Sequence, residues 1–387
     1  MAKLSKLSEL EQSPIRRMFD MSKGMDNLVS FVIGEPDFIT PKNIIEAAKK
    51  SLDEGKTHYT DNSGILELRE AIAGKLKEYD KVEYDPKTEI LVTCGGMQAL
   101  YLTMATLLDP GDEVILADPS YVNYTGQVKM CYGVPVYVPV YEKDGFNFTG
   151  ANLRKAITGK TKAILLNSPA NPTGGVATRD VMEEIARVAV ENDLFVIYDE
   201  VYKYLLYDNL EFCNIAALEG MRERTIVIDS FSKSYAMTGW RVGYLAGPKE
   251  VVGKMPKLHE NICSCVTDPS QYGAVEALLG NQDSVAYMNR QYLERRNLLV
   301  DGINAIDGLS CNRPKGAFYA FINITKTGMT SEEFAVRLLK QEKVVVAPGS
   351  GFGKSGEGFI RISYATSTEK IREGLKRIRH FVESLNK

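Results

Sequence analysis

Residues 162–200 read KAILLNSPANPTGGVATRDVMEEIARVAVENDLFVIYDE, in which a strand pattern, a helix pattern and a second strand pattern follow one another. The runs 162–168 and 194–200 are short and almost wholly apolar until their polar ends, which is typical of buried strands. Between them, residues 178–191 repeat apolar side chains at helical spacing, namely Val181, Ile185, Val188 and Ala189. Buried strands that alternate with helices favour a parallel sheet covered on both faces.

The same alternation extends outward from this segment in both directions. Runs with the composition of strands lie at 89–94, 113–118, 135–141, 162–168, 194–200, 224–230 and 241–247. We therefore predict an α/β fold with a mainly parallel seven-stranded sheet flanked by helices. Sheets of this kind bind their ligands at the carboxyl ends of the strands.

The last hundred residues show a different order of predicted helices and strands. A long helix pattern at 286–306 is followed by three short strand patterns and a closing helix, at 316–324, 344–348, 359–365 and 368–385. This predicts a smaller α+β domain. We expect residues 286–387 to form it together with residues 1–44, beside a large domain of residues 45–285.

Composition and charge exclude several classes of protein. The chain has 387 residues, of which 44% are hydrophobic and 25% charged, so it is an ordinary globular protein and not a disordered or fibrous one. Because 47 basic residues stand against 50 acidic ones, no global field attracts nucleic acid or an anionic membrane. The N-terminus carries Glu9, Glu11 and Asp20 and lacks an apolar core, so neither a secretory signal nor a transit peptide fits.

Cysteine and histidine usage points to a cytoplasmic protein without a metal. No two of the six cysteines are spaced C-x-x-C, and the histidines are His58, His259 and His380. Zinc sites need clustered ligands of these types, so the spacing predicts no metal site. Scattered cysteines in a long chain are typical of reduced thiols in a cytosol.

Residues 90–108 have the length of a membrane span, because nineteen successive positions carry no charge. Gly95, Gly96 and Gln98 interrupt this run, so we predict a buried strand, a glycine turn and a buried helix, and no membrane span. The first N–H groups of such a helix can hold an anion. A purely steric role for the glycines is the alternative.

The segment GFGKSG at 351–356 matches the dinucleotide pattern G-x-G-x-x-G in the wrong context. A strand pattern follows the glycines, whereas the dinucleotide site requires a helix there. A P-loop is also excluded, because Pro348 stands where that motif requires glycine. We therefore predict a surface loop, and no nicotinamide dehydrogenase.

Polar residues stand where several predicted strands begin or end. Asp199 closes an otherwise apolar strand, and a buried carboxylate is costly without a cationic partner. Lys233 lies among serines just beyond the strand 224–230. Arg241 and Arg361 stand at the starts of later strands, where arginine usually has an anionic partner. Taken singly, each residue also has a solvated or purely structural explanation.

Together these segments resemble the class I and II aminotransferases, the fold-type-I enzymes that use pyridoxal 5′-phosphate. The motifs that carry the resemblance run in order along the chain: GEPDF at 34–38, HYTDNSG at 58–64, NSPANPTG at 167–174, YDEVY at 198–202, SFSKSYAMTGWRVG at 230–243 and RISYAT at 361–366. They are most similar to the prokaryotic aspartate, aromatic and alanine aminotransferase branch. The resemblance therefore implies an enzyme of amino acid metabolism.

The resemblance implies a role for each residue around the cofactor ring. Lys233 would bind the cofactor aldehyde and later move the α proton of the substrate. Asp199 would keep the pyridine nitrogen protonated. Tyr202 and Asn171 would hydrogen-bond the phenolic oxygen of the ring, and Tyr121 would stack on its face.

The resemblance also implies a phosphate site and a substrate clamp. The phosphate would be held by the backbone of Gly96 and Met97, by Ser230 and Arg241, and by Tyr59 from the second subunit. This implies a homodimer with shared active sites. Arg361 would bind the substrate α-carboxylate through both guanidinium nitrogens, and Gly34 lies in the loop that closes over the substrate.

The implied reaction is ping-pong exchange of an amino group between an L-amino acid and a 2-oxo acid. Relatives that prefer acidic substrates often carry lysine at the position of Met97, so the apolar Met97 favours an aromatic or other apolar donor, with 2-oxoglutarate as acceptor. Aspartate, alanine and N-acetyl-diaminopimelate aminotransferases stay open as alternatives, as does a fold-type-I carbon–sulfur lyase. The net acidic charge disfavours a transcription regulator built on this fold.

Overall fold

The structure is a computed structural model that describes residues 5, 7 and 14–385. Glu9 and Glu11 of the predicted N-terminal segment lie outside the described residues. The described strands are β1 (Val29–Ser30), β2 (Ile90–Thr93), β3 (Glu113–Asp118), β4 (Val134–Pro139), β5 (Thr161–Asn167), β6 (Phe195–Asp199), β7 (Thr225–Ser230), β8 (Gly243–Ala246), β9 (Tyr319–Asn323), β10 (Val344–Val345), β11 (Ala347–Pro348) and β12 (Phe359–Ser363).

The described α-helices are α1 (Pro14–Ser22), α2 (Lys42–Asp53), α3 (Leu66–Lys75), α4 (Gly96–Leu107), α5 (Asn123–Met130), α6 (Gly150–Ala156), α7 (Arg179–Glu191), α8 (Phe231–Ser234), α9 (Lys249–Val252), α10 (Met255–Cys263), α11 (Asp268–Leu279), α12 (Asp283–Asn304), α13 (Ser331–Glu342) and α14 (Thr368–Leu385). Among them, none combines the length and the apolar composition that crossing a bilayer requires.

The central sheet has seven strands in the order β2-β8-β7-β6-β5-β3-β4. Strand β8 is antiparallel to both of its neighbours, and the other strand pairs are parallel. The predicted mainly parallel seven-stranded sheet is therefore confirmed. In its register Asn167 lies beside Asp199, and Asp199 lies beside Ile228, so the polar ends of β5 and β6 meet close to the end of β7.

Helices cover both faces of this sheet, which explains why its strands are almost wholly apolar. On β5, Ile164 and Leu166 join a core that includes Ile185 of α7, whereas Leu165 joins a second core that includes Leu102 of α4. Successive residues of a strand point to opposite faces, so both faces of β5 are buried. The run 90–108 is the predicted strand, glycine turn and helix, as β2 and α4.

The C-terminal part contains a smaller antiparallel sheet in the order β11-β12-β9, which packs with α12, α13 and α14 around its own core. Strand β1 pairs in parallel with β10, so residues 29–30 lie beside this part of the chain. The prediction of one strand at 344–348 is wrong, because β10 pairs with β1 whereas β11 pairs with β12. Domain boundaries near residues 44 and 285 stay a prediction.

Candidate active site

A cleft of about 610 Å³ opens at the carboxyl ends of β5, β6 and β7. Eleven of the twelve predicted site residues line it: Gly34, Gly96, Met97, Tyr121, Asn171, Asp199, Tyr202, Ser230, Lys233, Arg241 and Arg361. The side chain of the twelfth, Tyr59, is exposed on the surface, with 87% of the residue accessible to solvent.

Lys233 lies on the short helix α8, directly after β7, and its side chain enters the cleft. The Nζ atom donates a hydrogen bond to the carbonyl oxygen of Gly34 at 2.7 Å. Burial lowers the pKa of Lys233 to about 8, with smaller contributions in the same direction from Arg361 and Arg241. Glu35 and Asp199 oppose this shift. With that pKa about a tenth of the amine is unprotonated at pH 7. This neutral form is the one that a nucleophile or a general base requires.

Asp199 ends β6 and is buried at the base of the cleft. Its Oδ2 atom accepts a hydrogen bond of 2.6 Å from the hydroxyl of Tyr124, and its Oδ1 atom accepts one of 3.3 Å from the backbone N–H of Val201. Burial raises the pKa of Asp199 to about 6, although both hydrogen bonds oppose that shift. The carboxylate is therefore poised to bind a cation in the cleft.

One end of the cleft has the donors of an anion site. Helix α4 begins at Gly96, and Gly95 before it has φ +79°, a left-handed conformation that favours glycine. A Cβ atom at Gly95 would lie 2.6 Å from Nη2 of Arg241, so a side chain there would displace the guanidinium. Ser230 and Arg241 line the cleft together with the start of α4, and they lie next to Gly96 and Gly95, respectively. Such a combination is suited to a phosphate.

Two tyrosine contacts order the side chains beside these groups. The hydroxyls of Tyr202 and Tyr319 lie 2.9 Å apart, and both residues are buried. Tyr121 accepts a hydrogen bond of 2.8 Å from the side chain of Asn123. The sequence predicts neither Tyr124 nor Tyr319 as a site residue. The signal for Tyr124 is its position one helical turn after Tyr121.

Arg361 lies on β12 with 3% of its surface exposed. Its Nη1 atom donates to Oδ1 of Asn171 at 3.0 Å, and its Nη2 atom donates to the carbonyl oxygen of Val32. Among the described residues its Nε atom has no hydrogen-bond partner, and the guanidinium lies over the rings of Tyr319 and Phe352 at 4.6 and 4.8 Å. Burial lowers the pKa of Arg361. This buried cation is suited to bind a carboxylate.

The mouth of the cleft is mainly apolar. Ile15 and Phe19 of α1 line it together with Ile33, which belongs to the segment before Gly34. The sequence predicts no role for α1, because nothing in that segment shows where it docks. Arg16 is the charged residue of α1 in the lining, and its Nε atom lies 3.5 Å from Oδ2 of Asp20.

A buried ionic cluster supports the cleft from behind. Nζ of Lys203 lies 2.7 Å from Glu200, 3.1 Å from Asp80 and 3.2 Å from Asp229, and all four residues are buried. Glu200 follows Asp199 directly, yet it faces this cluster and not the cleft. The two successive acidic residues at the end of β6 therefore face different surroundings. Asp199 faces the cleft, whereas Glu200 faces the buried ionic cluster.

The segment GFGKSG at 351–356, which the sequence predicts to be a surface loop, is packed more closely than such a loop. We call it the glycine-rich segment. It forms two short 3₁₀ turns, in which the N–H and the hydroxyl of Ser355 donate to the carboxylate of Asp118 at the end of β3. Phe352 is buried beneath Arg361. Strand β12 follows these turns, so the helix that a dinucleotide site needs is not there, as predicted.

Known proteins are similar to this chain in sequence and in fold. The model of the family "aminotransferase class I and II" matches residues 26–378. Aromatic-amino-acid aminotransferase 2 of Thermococcus litoralis is 46% identical over 380 residues, which cover 98% of this chain and 97% of that protein. Aspartate aminotransferase of Pyrococcus abyssi is also 46% identical over 380 residues, with the same coverage.

Solved structures agree with these relatives. The structure of Thermus thermophilus aspartate aminotransferase with maleate is similar to this one with a TM-score of 0.93 at 38% identity, and the match covers 98% of this chain and 100% of that one. The chain therefore belongs to the class I and II aminotransferases, the family of transaminases that use pyridoxal 5′-phosphate.

Proposed function

We propose that this aminotransferase takes its amino group from an L-amino acid with an aromatic or other apolar side chain and passes it to 2-oxoglutarate. The observation that carries the proposal is the apolar part of the cleft lining, which includes Ile15, Phe19, Ile33 and Met97. Burial of an apolar side chain against such a surface is favourable by about 25 cal/mol per Å² of apolar area removed from water. The relative from Thermococcus litoralis is named for aromatic donors.

The donors in the cleft fit pyridoxal 5′-phosphate. The start of α4, Ser230 and Arg241 would hold its phosphate, and Asp199 would pair with its protonated ring nitrogen. Tyr202 and Asn171 would donate to its phenolic oxygen, and Tyr121 would lie against its face. When bound, the cofactor supplies an electrophilic carbon and a conjugated ring that accepts electrons from the substrate Cα.

Different residues of this chain would have separate roles in the reaction. Arg361 binds the α-carboxylate and thereby orients the Cα–H bond of the substrate. Lys233 would take the proton from Cα of the substrate and later donate it back, since its lowered pKa suits both directions. The segment around Gly34 would cover the cleft and exclude water, and the hydrogen bond from Lys233 to the carbonyl oxygen of Gly34 supports this role.

Arg361→Lys tests the proposed carboxylate clamp. Lysine keeps the charge but loses the planar pair of donors, so we expect kcat/KM for every amino donor to fall about 100-fold, chiefly through KM. Steady-state kinetics with several donors measure this. Arg313→Lys is the matched control, because Arg313 pairs with Asp301 on the surface. An unchanged KM for all donors would contradict the clamp.

A panel of amino donors with 2-oxoglutarate tests the proposed substrate class. We expect phenylalanine or tyrosine to exceed aspartate in kcat/KM, as read from the change in cofactor absorbance in the first half-reaction. In Met97→Lys the new ammonium would face the substrate side chain, so we expect the aspartate-to-phenylalanine ratio to rise about tenfold. A clear preference of the unmodified enzyme for aspartate would overturn the proposal.

An acidic donor is the second candidate, and one residue favours it. Arg16 lines the mouth of the cleft, where its cation can reach a distal carboxylate. The relative from Pyrococcus abyssi is named for aspartate. The same panel separates the two candidates, and it includes alanine and N-acetyl-diaminopimelate. Pyruvate and ammonia formed from cysteine without any 2-oxo acid would indicate a carbon–sulfur lyase.

We also propose a cytoplasmic homodimer in which Tyr59 of each chain reaches the phosphate site of the other. The exposure of Tyr59 supports this assembly, because 87% of this large residue is accessible to solvent in the single chain. All six cysteines fall within the described residues and are free thiols. Free thiols fit a reducing compartment.

A further inference from the structure

Three residues that are far apart in the sequence meet beside the end of β2. The Sγ atoms of Cys94 and Cys263 lie 3.6 Å apart, and Nε2 of His259 lies 3.0 Å from Sγ of Cys263. All three ligand atoms fall within 4.8 Å of one another. His259 and Cys263 are four residues apart on α10, so they share one face of that helix. Within the described residues, none of the three lines the catalytic cleft.

The surroundings of His259 and Cys263 orient their ligand atoms. Nδ1 of His259 lies 2.7 Å from the carbonyl oxygen of Asn62, and a carbonyl only accepts hydrogen bonds. The proton is therefore on Nδ1, and the lone pair of Nε2 points toward Cys263. A metal-binding histidine typically has its second nitrogen fixed in this way. The side-chain N–H of Gln98 donates to Sγ of Cys263 at 3.1 Å, a second contact that fixes the position of this sulfur.

We propose that Cys94, His259 and Cys263 form a binding site for a soft divalent cation such as Zn²⁺. Two thiolates at about 2.3 Å from a tetrahedral zinc ion lie about 3.8 Å apart, close to the sulfur–sulfur distance observed here. On binding, both thiols release their protons to solvent, and two thiolates then neutralise the ion. His259 is buried, whereas both cysteines are partly exposed, so solvent can reach the site and fill the fourth position.

The site would connect three segments next to the proposed phosphate site. Cys94 directly precedes Gly95, and its carbonyl oxygen accepts a hydrogen bond of 3.4 Å from Arg241. Asn62, which holds His259, belongs to the HYTDNSG segment with Tyr59. A bound ion would therefore fix the end of β2 against α10 and against that segment.

Cobalt binding to the reduced holoenzyme tests the proposal. We expect one equivalent of Co²⁺ per chain, with the strong red-region absorption of tetrahedral cobalt bound by thiolate, where the cofactor does not absorb. Zn²⁺ should displace this spectrum. The variants Cys94→Ser and Cys263→Ser should bind Co²⁺ at least about tenfold more weakly, since even changes to supporting residues have effects of that size. Cys213→Ser, at a partly exposed cysteine elsewhere, should behave like the unmodified enzyme.

Thermal unfolding provides an independent measurement. Zn²⁺ should raise the Tm of the unmodified protein and of Cys213→Ser, because an ion that binds only the folded state stabilises it. It should leave the Tm of Cys94→Ser unchanged. If Cys263→Ser does not fold, His259→Gln replaces it in both measurements. A reduced protein without the cobalt spectrum, a spectrum that survives in the variants, or a Cys94–Cys263 disulfide as the sole reaction of the cluster would overturn the proposal.

Discussion

Lys233→Ala should abolish transamination, with a fall in kcat of at least about 1,000-fold. The variant lacks the amine that burial holds near a pKa of about 8, so neither covalent attachment of the cofactor nor proton transfer at Cα has a protein group to perform it. Two measurements check this result. One is the half-reaction with a good amino donor, and the other is mass spectrometry after borohydride reduction, which should find no cofactor on the chain.

Lys354→Ala is the matched control for that experiment. Lys354 is an exposed lysine in the glycine-rich segment whose pattern imitates a phosphate site. Its removal should leave kcat and cofactor attachment unchanged. A Lys233→Ala enzyme that turns over normally would show that another residue carries the chemistry, and the proposed roles around Lys233 would fail together.

Asp199→Asn should have opposite effects on activity and on the stability of the apoprotein. Without the carboxylate, the ring nitrogen loses the partner that keeps it protonated, so we expect kcat to fall about 100- to 1,000-fold. The apoprotein should become more stable at neutral pH by up to roughly 3 kcal/mol, because the pKa of Asp199 rises on folding from about 3.9 to about 6. Asparagine does not carry this buried charge.

The pH dependence of the stability tests the sign of the stabilisation expected for Asp199→Asn. A carboxyl whose pKa is higher in the folded state binds its proton more tightly there, so the contribution of Asp199 to the stability of the unmodified apoprotein should rise as the pH falls from about 7 toward 4. The contribution is absent above the folded-state pKa. Denaturant unfolding of both apoproteins across this range measures the difference, which should shrink at low pH.

Asp193→Asn is the control for the loss of an aspartate as such. The side chain of Asp193 is 95% exposed, and its φ of +50° is one that asparagine tolerates. We expect neither activity nor the pH dependence of stability to change. If Asp199→Asn destabilised the apoprotein at neutral pH, hydrogen bonding by Tyr124 and Val201 would outweigh the burial of the charge.

Much of the site can be predicted from the sequence because strand ends converge. Asp199 and Ser230 close neighbouring strands, and Lys233 follows the second of them within one turn. Parallel strands in one sheet bring their carboxyl ends to the same edge, so polar residues at those positions meet without further information. The roles themselves came from a family resemblance, and the geometry of the cleft is compatible with them.

Other residues could not be predicted, because their signal is not local. Tyr319 lies within an ordinary strand pattern, and its contact with Tyr202 joins positions 117 residues apart. The run 344–348 changes partner between two sheets although every residue in it is apolar or proline. Likewise, Cys94 and Cys263 are 169 residues apart, so no spacing rule for metal ligands applies to them.

The sequence by itself determined the class of fold, the order of the strands along the chain and which candidate site residues follow them. These depend on the periodicity of apolar side chains and on short motifs, which act over a few residues. Only the tertiary structure decided which side chains surround those residues: the helix α1 at the mouth, the hydrogen bond from Tyr124 to Asp199 and the meeting of Cys94 with His259 and Cys263. Such contacts depend on how separate elements pack, and packing is a property of the whole folded chain.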